Sequence, residues 1–68
     1  MLPLTTEDAA QLNLHYQGYT IDSSKGPHLA TNELVAKCHT EKLPSGNVAH
    51  LYYDLAADHV YVYDVTPG

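Results

Sequence analysis

NVAHLYYDLAADHVYVYDV, residues 47–65, carries two runs rich in Val, Tyr and Leu that nearly alternate between apolar and polar residues. Alternation of period two is what a half-buried pleated strand requires, so Val48–Leu55 and His59–Val65 are expected to be strands. Ala56, Ala57 and Asp58 between them leave room only for a tight turn, and the stretch becomes a β-hairpin. Placing Asp54 opposite His59 sets Tyr53 against Val60, Tyr52 against Tyr61, Leu51 against Val62 and His50 against Tyr63. One face is then apolar, with Leu51, Tyr53, Val60 and Val62. The other carries His50, Tyr52, Tyr61 and Tyr63, aromatic side chains that each hold a polar atom. A slip of one residue would mix the two sets, so the pattern itself argues for the register.

A third strand is expected before this hairpin. Residues 31–43, TNELVAKCHTEKL, suit a helix by composition and a strand by alternation. The following Leu43-Pro44-Ser45-Gly46-Asn47-Val48 has the residues of a hairpin loop, which favours the strand. Pairing Leu43 with Val48 brings Glu41 opposite His50 and Lys37 opposite Asp54, two complementary pairs from one register. The inner face of the resulting meander is then Ala36, Cys38, Thr40, Leu51, Tyr53, Leu55, Val60 and Val62. The outer face collects His39, Glu41, His50, Tyr52, Tyr61 and Tyr63.

Upstream, Thr5 followed by Asp8 has the spacing of a helix capping box, with Glu7 and Asp8 at the positive end of the helix dipole. Leu4 and Ala9 can form a small hydrophobic staple. Ala9, Leu12, Tyr16 and Tyr19 recur at three- and four-residue spacing, and Gly18 is a natural stop, so a helix is expected over residues 6–17. Leu14 and His15 lie off that apolar stripe. Tyr19-Thr20-Ile21 adds a short extended piece, and Asp22 to Pro27 is a loop by composition. Its Lys25-Gly26 lacks the spacing and the preceding strand of a phosphate-binding loop. The fold expected is a single α+β domain over residues 1–68, an N-terminal helix packed on a three-stranded antiparallel β-meander.

Sixty-eight residues bury only about 60% of their unfolded surface, a marginal core that favours self-association as a dimer. A single cysteine, Cys38, cannot form an intrachain disulfide. No apolar run approaches the ~18 residues of a membrane span, and no basic segment precedes an apolar one at the N-terminus, so neither membrane insertion nor a signal peptide is expected. A reducing, cytoplasmic setting follows. The net charge of −5, with three lysines and no arginine, argues against nucleic acid and for a protein partner with a basic surface.

Five histidines and eight carboxylates raise the question of metal. His39, Glu41 and His50 are the candidates on adjacent strands, although no C-x-x-C or H-x-x-x-H spacing is present. Cys38 beside His39 has the residue types of a nucleophile and its base, yet neighbours on a strand point to opposite faces, so no catalysis is expected. Six tyrosines with no Phe or Trp mean that every aromatic ring carries a hydroxyl, which suits an interface. The binding surface expected is therefore His39, Glu41, His50, Tyr52, Tyr61 and Tyr63, with no cofactor. Imidazoles ordinarily titrate near neutrality, so pH-sensitive recognition is expected there. The function expected is that of a non-catalytic protein-binding or inhibitory module of phage or mobile-element origin, the alternative being a metal-binding or metal-responsive protein.

Overall fold

In the computed structural model, residues 1–23, 35–54 and 58–68 are described, residues 35–37 by their backbone alone. Helix α1 spans Thr6–Tyr16, and among the described residues four strands follow: β1 Thr20–Ile21, β2 Val35–Lys42, β3 Val48–Asp54 and β4 His59–Thr66. Residues 24–34 and 55–57, Leu55 among them, lie outside the described residues.

The start of α1 is the expected capping box. Thr5 Oγ1 accepts from the Asp8 N–H at 3.0 Å, and Asp8 accepts from the Thr5 N–H at 3.2 Å. The helix stops at Tyr16 because Gln17 (φ 51°) and Gly18 (φ 109°) turn left-handed.

The α+β class holds, but the sheet is not a three-stranded antiparallel meander. Among the described residues it has four strands in the order β1-β4-β3-β2, and β1 runs parallel to β4, with Thr20 opposite Tyr61 and Ile21 opposite Val62. The short extended piece after the helix thus covers the outer edge of β4. Further along that edge, Leu2 donates its N–H to the Val65 carbonyl at 3.0 Å.

Strands β3 and β4 pair in the expected register from Asp54–His59 to Leu51–Val62. A bulge then sets His50 opposite Asp64 rather than Tyr63. Between β2 and β3 the register differs by one residue from the expected one: Glu41 lies opposite Ala49, Thr40 opposite His50 and Cys38 opposite Tyr52. The turn is the physical reason. Leu43 donates to Asn47 at 2.8 Å and Gly46 donates back to Leu43 at 2.9 Å, so the hairpin closes on a three-residue loop, Pro44 to Gly46. Such loops need a left-handed residue, and Gly46 supplies it at φ 96°. Shifting the pairing by one residue exchanges the faces of β2.

The core lies between α1 and the sheet. Leu12 is fully buried against Leu43, Ala49, Leu51, Val60, Val62 and Val65, with Leu2, Leu4, Tyr16, Tyr19 and Tyr53 packed around them. Cys38 and Thr40, expected inside, are exposed on the other side of the sheet.

Candidate binding surfaces

The face of the sheet turned away from α1 is a chain of rings in contact. Tyr52 of β3 stacks on Tyr61 of β4 with centroids 5.2 Å apart and planes 19° apart. Tyr63, next outward residue of β4, lies 6.0 Å from Tyr52 and 6.0 Å from His50. His59 meets the other side of Tyr61 edge-on at 5.1 Å. The order across the face is therefore His59, Tyr61, Tyr52, Tyr63, His50. Alternation along β3 and β4 puts these residues on one side, and cross-strand pairing brings the rings together.

Tyr52, at the centre, is only 4% exposed, while Tyr61 and Tyr63 are half-buried. Burial pushes the Tyr52 hydroxyl above its ordinary pKa, and nearby Tyr61, Asp22, Asp54 and Cys38 add to it. Burial likewise raises Tyr63, helped by Cys38 and Asp64. Both phenols therefore stay neutral at physiological pH, offering hydroxyls rather than negative charge. The two imidazoles at the ends are anchored by threonines, His50 Nε2 to Thr66 Oγ1 and His59 Nε2 to Thr20 Oγ1, each at 2.7 Å.

Of the six residues expected to share a surface, His50, Tyr52, Tyr61 and Tyr63 do so. His39 and Glu41 do not: the register of β2 places them on the helix side. There Glu41 Oε2 accepts from Gln11 Nε2 at 2.7 Å and from His15 Nδ1 at 2.8 Å, and Oε1 accepts from the Tyr16 hydroxyl at 2.6 Å. Tyr16 has spent its only proton on Glu41, so His39 Nε2, 2.9 Å away, donates to the Tyr16 oxygen. Burial works against the Glu41 anion, but these hydrogen bonds outweigh it and hold the carboxyl below its ordinary pKa. Burial and the adjacent Glu41 push the Tyr16 hydroxyl well up. The cluster fastens the second half of α1 to β2, as Asp8 fastens the first half to the β2–β3 turn.

Asp8 is wholly buried and accepts from the Ser45 N–H at 3.0 Å and the Ser45 hydroxyl at 2.8 Å, besides Thr5. Its own burial opposes the charge, and the bonds from Ser45 and Thr5 more than offset it, leaving the carboxyl below its ordinary pKa. Beyond the end of α1 a groove of about 670 Å³ is bordered by Leu14, Tyr16, His39, Tyr53, Asp58 and His59.

The separation of His39 and Glu41 from His50 removes the shared metal site considered for them. No cluster of three or more His, Cys, Asp or Glu side chains suited to a metal occurs among the described residues. Cys38 and His39 point to opposite faces, the thiol beside Tyr52 and the imidazole beside Tyr16. No helix among the described residues is long and apolar enough to cross a membrane. His59 as a member of the aromatic face was not singled out by sequence; its place beside Tyr61 follows from the hairpin register and from the arrival of Thr20 on β1.

No family model, no curated protein and no solved structure matches the chain.

Proposed function

We propose that this chain is a small acidic protein-binding or inhibitory module without catalytic activity, acting in the cytoplasm, and that it recognises its partner with the aromatic face of the sheet. The observation that carries this reading is the unbroken line of rings from His59 through Tyr61, Tyr52 and Tyr63 to His50 on the side away from α1. Aromatic rings with neutral hydroxyl tips combine large contact area with hydrogen-bonding capacity, the combination enriched at protein interfaces. Tyr52 is buried whereas Tyr61 and Tyr63 are half-buried, so Tyr61 and Tyr63 are the rings that keep surface for a partner to meet. The net charge of −5 favours a partner whose approaching surface is basic. A single cysteine, exposed and unbridged at Cys38, fits a reducing compartment.

The test is comparative. The parent chain and the variants Tyr61→Ala and Tyr63→Ala are immobilised, the partner retained by the parent is purified from host cells, and its affinity for each is measured by titration calorimetry. Truncating a ring at the centre of an interface costs about 2 kcal/mol or more, roughly thirtyfold in Kd. Folded variants that both bind with the parent's affinity would show the face to be structural only.

A further inference from the structure

The sheet has two outer edges, and they are treated differently. Along β4, the outward groups are met by β1 and by Leu2. Among the described residues strand β2 forms the other edge. Leu43 donates its N–H across the turn to Asn47, so its backbone groups face β3. Backbone groups alternate sides along a strand, hence those of Glu41 and His39 also face β3, while those of Lys42, Thr40 and Cys38 face outward. At one end of this edge the Gln11 side chain reaches round to the Lys42 carbonyl at 3.0 Å. At the other end the pairing with β3 shifts by a residue between Val35 and Lys37. Covers and bulges of this kind blunt an edge against further pairing. Between them Cys38, His39 and Thr40 are all exposed. Among the described residues no backbone hydrogen bond reaches the outward groups of Cys38 and Thr40.

We propose that two copies of this chain join through that window, their β2 strands pairing antiparallel about a two-fold axis at His39 to make one continuous sheet. The window is complementary to itself in this register alone: Cys38 of each copy exchanges backbone bonds with Thr40 of the other, and neither the Gln11 cover nor the bulge is in the way. Charge agrees with geometry. Lys37 and Glu41 stand at equal distances either side of His39 in the sequence, so each copy's lysine position comes opposite the other's acidic position. The helices agree as well. Helix α1 is bonded to Ser45 through Asp8 near its start and to His39 through Tyr16 at its end, so it finishes level with the axis. The two helices then run away from the axis in opposite directions and leave each other room. This pairing uses the sheet edge and leaves the aromatic face free for a different protein.

Sedimentation velocity from micromolar to millimolar concentration tests the proposal, with circular dichroism confirming that each variant is folded. The parent dimerises with rising concentration. Thr40→Pro removes an outward N–H without touching a bond to β3, and Lys37→Glu sets like charges opposite each other while leaving the Glu41 contacts to α1 intact. Each raises the dimer Kd about tenfold or more. Tyr61→Ala dimerises as the parent does, which separates this interface from the aromatic face. In a nitroxide-labelled dimer the two Cys38 Cα atoms lie roughly 8 Å apart, given the strand spacing and rise, so dipolar broadening appears and fades on mixing with unlabelled chain. The proposal is overturned by a parent that stays monomeric throughout. It is equally overturned by folded Thr40→Pro and Lys37→Glu chains that dimerise like the parent, by loss of the dimer in Tyr61→Ala, or by a dimer without broadening.

Discussion

Glu41 and Asp8 do similar work from opposite sides of the helix–sheet junction. Each is a carboxylate whose hydrogen bonds outweigh its burial, so each has a folded-state pKa below its unfolded one. A depressed carboxyl stabilises the fold at pH values above the unfolded pKa, and that stabilisation is lost as pH falls through the folded pKa. Stability to urea should therefore decline as the medium is acidified from about pH 6 to pH 3. Replacing Glu41 by Ala should cost about 1–3 kcal/mol at neutral pH, because Gln11, His15 and Tyr16 lose a common acceptor, and should flatten the acid dependence. A variant with an unchanged pH slope would show that Glu41 is not anchored as described. The cap made by Thr5 and Asp8 was legible in the sequence because it is local, spaced within one helical turn. Ser45 as the second partner of Asp8 was not, since a contact 37 residues away leaves no mark in local spacing.

At the scale of elements, the strands show what a pattern can specify. In β3 and β4 one set of alternate residues is apolar and the other is not, so burial of Leu51, Val60 and Val62 selects the register on its own. In β2 the alternate sets are Cys38 and Thr40 against His39 and Glu41, and neither is strongly apolar. Burial therefore leaves its register open, the turn decides, and the turn is one residue shorter than composition implied. The matched charges of Glu41 with His50 and Lys37 with Asp54 argued for the longer turn, but exposed pairs are worth too little to compete with turn geometry. Strand β1 escaped notice as a sheet member because two residues carry no periodicity. Gly46 is the element-scale test: it holds φ 96° with open space where an added methyl group would stand, so Gly46→Ala incurs backbone strain alone. The expected cost is about 1–2 kcal/mol by urea denaturation, from forcing an L-residue into the left-handed region. A neutral substitution there would mean that the loop does not close as described.

On the scale of the whole molecule, the register of β2 divides the chain's chemistry between two sides. One side, under α1, holds the carboxylate cluster with His39, His15 and Tyr16; the other holds the aromatic face with Cys38 at its border. The aromatic face was legible because it lies within a single hairpin. The cluster was not, because it needs the helix, which the sequence placed over the sheet without fixing which strand its polar side would meet. Cross-strand Hα–Hα nuclear Overhauser effects in isotope-labelled protein read this division directly. Residues whose backbone groups point away from a neighbouring strand bring their α-protons close to it. The structure predicts strong effects between Thr40 and His50 and between Cys38 and Tyr52. Strong effects between Glu41 and His50 and between His39 and Tyr52 would contradict it, returning His39 and Glu41 to the aromatic face and Cys38 to the core.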